Sequence, residues 1–191
     1  TEAGITRATV DGSWDGDETV AVSVTDDEGT FGVFSYTAAS DGTLTSSSPY
    51  FWKAQPIEVM AWYPYSAEFP TTVTVAADQS TLEGFKGSDA LEASRELTQN
   101  DCELEFSHRV AKVTFKLKGE STALDGLSDV TVVGVTGVDG GGNSVTPYQP
   151  DAAVHTYQAL LVPQTLAAGK TALTLTKDNF TYTWIPDKDY K

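Results

Sequence analysis

The chain of 191 residues carries 12 Lys and Arg against 27 Asp and Glu, a formal net charge of −15. That balance leaves no basic face to exchange for phosphate counterions, which excludes nucleic acid as a partner, and an acidic surface is repelled by anionic lipid. A single cysteine, Cys102, rules out an internal disulfide, and the length suits one large domain or two small ones.

Thr, Val, Ser and Gly dominate, with twenty aromatic residues, and this is β composition. Val20, Val22 and Val24 alternate with Thr19, Ala21, Ser23 and Thr25, the period of two that a half-buried strand requires. The pattern breaks at Asp26-Asp27-Glu28-Gly29 and resumes at Phe31, Val33, Phe34 and Tyr36, which predicts a hairpin; Asp41-Gly42 marks the next turn. Further strands are expected at Ile57–Tyr63, Thr71–Ala76, Leu104–Leu117, Asp129–Val138, Val154–Val162, Thr171–Thr176 and Phe180–Trp184. One helix is expected near Ser88–Leu97, where Asp89 and Glu92 could form a capping box. Strands at this spacing, without long helices between them, point to an all-β sandwich rather than a βαβ sheet.

The stretch from Cys102 to Leu117 changes phase. Cys102, Leu104, Phe106, His108 and Val110 share one face, whereas beyond Arg109 the apolar set is Ala111, Val113, Phe115 and Leu117, opposite Lys112, Thr114, Lys116 and Lys118. A slip of one residue sends every later side chain to the other face, so a bulge or bend is expected near Arg109-Val110-Ala111. Such a strand can leave one sandwich and enter another, which places the domain boundary close to residue 100 and gives domains 1–100 and 101–191.

Catalytic chemistry finds little support. No G-x-S-x-G elbow, P-loop or dinucleotide fingerprint is present, and Gly140-Gly141-Gly142 lacks the lysine and helix of a phosphate cradle. Cys102 and His108 share a face but lie roughly 20 Å apart along a strand, too far for a nucleophile–base pair. His108 is expected to be a buried histidine bonded to backbone, and His155 to begin a strand. Asp11, Asp15 and Gly16 match positions one, five and six of an EF-hand loop, but Ser13 and Val22 stand at positions three and twelve, so the match fails. Irregular calcium binding by Asp11, Asp15, Asp17 and Glu18 is the weaker alternative. The aromatic groups Tyr50-Phe51-Trp52 and Trp62, Tyr63 and Tyr65 could stack on sugar rings, although filling a core is the commoner use of such residues. The reading is therefore of a non-enzyme without cofactor or metal.

Several local patterns occur together in an order that resembles the fimbrillin-like, or type V pilin-like, proteins of the Bacteroidales. They are Trp14, Gly16 and Asp17 before the alternating valines; Trp52-Lys53-Ala54 and Ala61-Trp62-Tyr63-Pro64; and Gln79 with Ser88-Asp89-Ala90-Leu91-Glu92-Ala93. Leu104, Phe106, His108, Val110, Ala111, Lys112 and Val113 follow, then Leu160-Leu161-Val162-Pro163-Gln164, so the resemblance spans about Gly4 to Trp184. It implies two transthyretin-like β-sandwich domains in tandem, export as a lipoprotein, and display on the cell surface as a structural or adhesive fimbrial subunit. No leader follows Thr1, so the export signal and the lipid-bearing cysteine that would tether the protein to the membrane are expected to have been removed.

The resemblance further implies assembly with other pilus subunits by strand addition, with host protein or glycan as a further ligand. An N-terminal segment would fill an apolar groove until a protease cuts after an arginine, and Arg7 stands where that cut would fall. The family continues past a segment like Ile185–Lys191 into a glycine–tyrosine strand, so either the C-terminal domain lacks its last strand or this member is built differently, and no assembly residue is assigned there. The alternative reading is a carbohydrate-binding cell-surface module.

Overall fold

The computed structural model describes residues 5–6, 13–53, 56–119 and 124–191. Its chain divides into two compact units, one built from Thr1–Thr72 and Asp89–Arg109, the other from Val73–Ser88 and Val110–Lys191. The fold is all-β, with sheets of antiparallel strands apart from one short parallel pair; among the described residues there is one short α-helix and two single 3-10 turns.

The first unit contains β1 (Ile5–Thr6), β2 (Glu18–Asp26), β3 (Gly29–Ala38), β4 (Leu44–Thr45), β5 (Ile57–Tyr63), β6 (Leu91–Leu97), β7 (Leu104–Glu105) and β8 (Ser107–His108). Six of these form one sheet in the order β4-β3-β2-β5-β6-β8, while β1 and β7 form a separate pair. The β2–β3 hairpin turns where the charged run interrupts the alternation, with the Glu28 N–H donating to Asp26 Oδ1 at 2.7 Å. One face of the sheet is apolar because its strands alternate: Val20, Val22 and Val24 lie beside Ile57, Val59 and Ala61, then Leu91, Ala93 and Leu97. Trp14, Leu44, Leu104 and Phe106 are buried in the same core, and the Trp14 ring meets Tyr63 and Phe106 edge-on.

In the second unit lie α1 (Leu82–Gly87), β9 (Ala111–Lys116), β10 (Ser128–Val133), β11 (Ser144–Val145), β12 (Tyr148–Asp151), β13 (Thr156–Leu161), β14 (Leu173–Lys177) and β15 (Phe180–Trp184). They form a three-stranded sheet, β12-β13-β9, and a four-stranded sheet, β11-β10-β14-β15. Val130, Val132, Val145, Ala159, Leu161 and Leu173 fill the core. Helix α1 starts at Thr81, whose Oγ1 accepts from Gly84 N at 3.1 Å, and it buries Phe85 in a stacked contact with Tyr148.

Three expectations need correction. Ser88–Leu97 is not a helix: Leu91, Ala93 and Leu97 are buried at even spacing, and tertiary pairing with β5 makes this β6. Thr71–Ala76 forms no strand, contributing only an isolated parallel bridge between Val75 and Val138. Leu104–Leu117 is three short strands rather than one, with a bend at Arg109-Val110 where the alternation slips. The chain passes from the first unit to the second at that bend.

Candidate functional site

Each unit carries an apolar groove that its own strands leave uncovered. In the first unit Val22 and Val24 of β2, Ile57 and Val59 of β5, and Leu104 of β7 form its floor, with Tyr36, Tyr50 and Trp52 on its wall; its volume is about 260 Å³. Among the described residues no charged side chain lines it. The alternation of β2 and β5 that builds the core also builds this floor, because the facing layer contains, among the described residues, only the two-residue pair β1–β7.

Leu104 belongs to both features. It pairs with Ile5 in a parallel ladder, with Thr6 opposite Glu105, and it also lines the groove while only 1% exposed. Ile5 and Thr6 thus reach the floor of the groove through a ladder that spans two residues among those described. Arg7 lies outside the described residues, as does Asp11.

The groove of the second unit lies between β9 and β15, the end strands of their two sheets, with a volume of about 580 Å³. Val113, Phe115 and Leu117 line it from one side and Leu175, Tyr182 and Trp184 from the other. The inward set of β9 is the one its sequence alternation predicts, yet Val113 and Phe115 are only half-buried, and Tyr182 on β15 is 52% exposed. Phe115 meets Trp184 edge-on at 5.9 Å, and Trp184 meets Tyr190 at 5.6 Å. The alternation of Phe180, Tyr182 and Trp184 was the sequence signal for this wall, and it marks a strand with one large apolar face.

The remaining candidates resolve into structure. His108 is on the exposed short strand β8, and its Nδ1 lies 2.8 Å from Oδ1 of the buried Asp89; it is neither buried nor bonded to backbone. His155 is the left-handed residue before β13, and its carbonyl accepts from Leu117 N. Cys102 is half-buried. Among the calcium candidates, the Glu18 carboxylate accepts the backbone N–H groups of Asp15, Gly16 and Asp17 at 2.9–3.3 Å, so it closes a turn rather than facing an ion.

The aromatic clusters do not make a flat sugar platform. Trp62 is 1% exposed and donates from Nε1 to Ser66 Oγ at 2.9 Å, and Trp52 is half-buried against the core. Phe31 and Phe34 meet Tyr50 at 53° and 69°, so these rings are not coplanar. Phe51 and Tyr65 stand out to solvent, in separate clusters. Burial pushes the Tyr63 phenol up to about 12, with Glu18, Asp89 and Asp17 adding repulsion against the phenolate.

Polar residues singled out from the sequence turn out to be internal braces. Gln79 is fully buried: its Nε2 donates to the carbonyls of Leu160 (2.9 Å) and Ala76 (3.3 Å), and its Oε1 accepts from Leu160 N (2.8 Å). Ser88 Oγ accepts from Ala76 N at 3.0 Å and donates to Gly84 O at 2.9 Å. Gln164 Oε1 accepts from Thr136 N at 2.9 Å.

A family model described as fimbrillin-like matches residues 6–191. Among solved structures, a "putative cell adhesion protein" from Bacteroides uniformis superposes with a TM-score of 0.70 at 18% identity, covering 96% of this chain and 84% of that one. A protein with the same description from Bacteroides ovatus gives 0.65 at 18% identity, with the same coverage of 96% and 84%. A fimbrial protein from Bacteroides ovatus gives 0.62 at 14% identity, covering 96% of this chain and 45% of that one. At these identities the likeness speaks for the fold. No curated protein matches the sequence.

Proposed function

The chain belongs to the fimbrillin-like family, and on that premise we propose that it is a structural or adhesive subunit of a cell-surface fimbria, a non-enzyme that assembles by strand exchange. The two compact units serve as its two sandwich domains. The names carried by the similar structures, fimbrial and cell adhesion, agree with this role.

The observation that carries strand exchange is the meeting of a short ladder and an uncharged groove at Leu104. Among the described residues this parallel pairing spans two residues, which gives few backbone hydrogen bonds and makes β1 an occupant that a longer strand could displace. A longer strand from another subunit would form more of that ladder and place alternate side chains over Val24, Val59 and Leu104. This is β-augmentation, in which main-chain bonds give affinity and side-chain pockets give specificity. Cleavage after Arg7 would release the N-terminal occupant.

An arginine-specific protease tests this, because only Arg95 and Arg109 offer other sites. Arg95 lies within β6, and Arg109 is held by Glu92 and the Pro70 carbonyl. Cleavage after Arg7 should lower the thermal midpoint by several degrees and produce oligomers by light scattering. A nicked monomer with an unchanged midpoint would remove the strand-exchange reading.

A further inference from the structure

The second groove differs from the first in one respect that bears on what it binds. At its rim stand Lys112, Lys116 and Lys191 and, among the described residues, no Asp or Glu side chain, in a chain where acidic residues outnumber basic ones 27 to 12. Lys118 continues the same face of the chain past β9 and is exposed. The groove of the first unit, by contrast, is lined by no charge among the described residues.

Strand β9 presents this lysine row along an edge that has no partner strand among the described residues. Its other edge pairs with β13 from Ala111↔Leu161 to Lys116↔Thr156. The Leu117 N–H donates to the His155 carbonyl at 3.2 Å, on the β13 side. In an antiparallel ladder the direction of the backbone groups alternates, so those of Thr114 and Lys116 point to the uncovered edge. Side chains alternate at right angles to this: Val113 and Phe115 face the groove, and Lys116 faces solvent. β9 is therefore a strand edge with an apolar inner row and a basic outer row.

We propose that β9 accepts an extended segment of a neighbouring chain in which apolar residues alternate with Asp or Glu. The apolar residues would cover Val113, Phe115 and Trp184, and the acidic ones would stand beside Lys116 and Lys118 as same-face cross-strand neighbours. β15 offers no such pairing, since its outward residues Thr181 and Thr183 are uncharged. The proposal rests on the strand-exchange reading only in taking the segment from another subunit; it involves neither Arg7 nor the first groove. Lysines on an edge strand also serve to repel unwanted pairing. A guard of that kind refuses strands of every charge, whereas a docking edge discriminates among them.

Three synthetic peptides of about ten residues separate these cases: Val and Phe alternating with Glu, with Thr, or with Lys. Titrated calorimetrically into the intact protein, the acidic peptide should bind about tenfold tighter than the neutral one, despite the net charge of −15 on the protein. Raising the salt to about 1 M should narrow that gap. The double variant Lys116→Glu/Lys118→Glu changes exposed side chains only and should keep its thermal midpoint. It should invert the order, so that the basic peptide binds best. Equal binding of acidic and neutral peptides, or an order unmoved in the variant, overturns the proposal. So does failure of all three peptides to bind, which leaves the first groove and the Arg7 test untouched.

Discussion

Gln79 stands in for a strand. Leu160 pairs with Lys112 of β9, but on its other side the β12–β13 pairing stops at Tyr148↔Gln158, and there the carboxamide of Gln79 supplies both the acceptor and the donor that a neighbouring peptide group would. The substitution Gln79→Leu keeps the volume and removes three hydrogen bonds, each worth about 0.5–1.5 kcal/mol net. It also leaves the N–H and C=O of Leu160 without that partner at a residue only 2% exposed. A buried unsatisfied group costs about 1–3 kcal/mol. The two descriptions overlap, and together they give a destabilisation of about 3–5 kcal/mol. Urea unfolding followed by circular dichroism should show a lower midpoint at unchanged slope. Gln79→Glu supplies a control with a sign: its buried carboxylate cannot donate to the Leu160 carbonyl until it is protonated. That variant should therefore regain stability relative to Gln79→Leu as the pH falls. A loss below about 1 kcal/mol for Gln79→Leu would refute the view that this side chain completes the sheet.

Three further perturbations probe the frame around the grooves. Gly137 has φ +71°, and a Cβ there would sit 2.5 Å from Val162 Cγ2, so Gly137→Ala combines backbone strain with a clash and should cost about 2–4 kcal/mol in a thermal melt. Glu18→Gln exchanges a charged acceptor for a neutral one beneath three backbone N–H groups and should cost about 1–2 kcal/mol in denaturant unfolding. For Tyr63, the unfolded phenol loses its proton near its ordinary value of 10 while the folded one keeps it to about 12, so stability falls as the pH rises through that window. Discounted for partial exposure, the loss is about 1–2 kcal/mol, and the fall between pH 9 and pH 11 should be smaller by that amount in Tyr63→Phe, since Tyr50 and Tyr157, whose phenols are also pushed up, remain.

What could be read in the sequence was what is local. The period of two in Val20–Val24 and the run Ile57–Tyr63 gave strands where β2 and β5 stand, because alternation is a property of the strand itself. Ser88–Leu97 misled because Asp89 and Glu92 imitate a helix cap; Asp89 instead bonds His108, and pairing with β5 overrides the local preference. Thr71–Ala76 alternates like a strand but finds only one bridge partner. The grooves were not legible, because a groove is a place where no strand lies, and no residue pattern encodes an absence. The bracing role of Gln79 depends on a contact 81 residues away, which no single-sequence spacing announces. The lysine row was visible as a cluster, but its meaning depends on β9 ending its sheet.

The most direct test of strand exchange returns the removed segment to the nicked protein. After cleavage at Arg7, the protein is mixed with an excess of a synthetic peptide copying residues 1–7, and its mass and thermal midpoint are followed together. If the N-terminal segment holds the edge at Leu104 against an incoming strand, the peptide should raise the midpoint toward that of the intact chain and return the oligomers to monomers. Oligomers that persist at a saturating peptide concentration, with a midpoint that does not move, would contradict assembly through that groove.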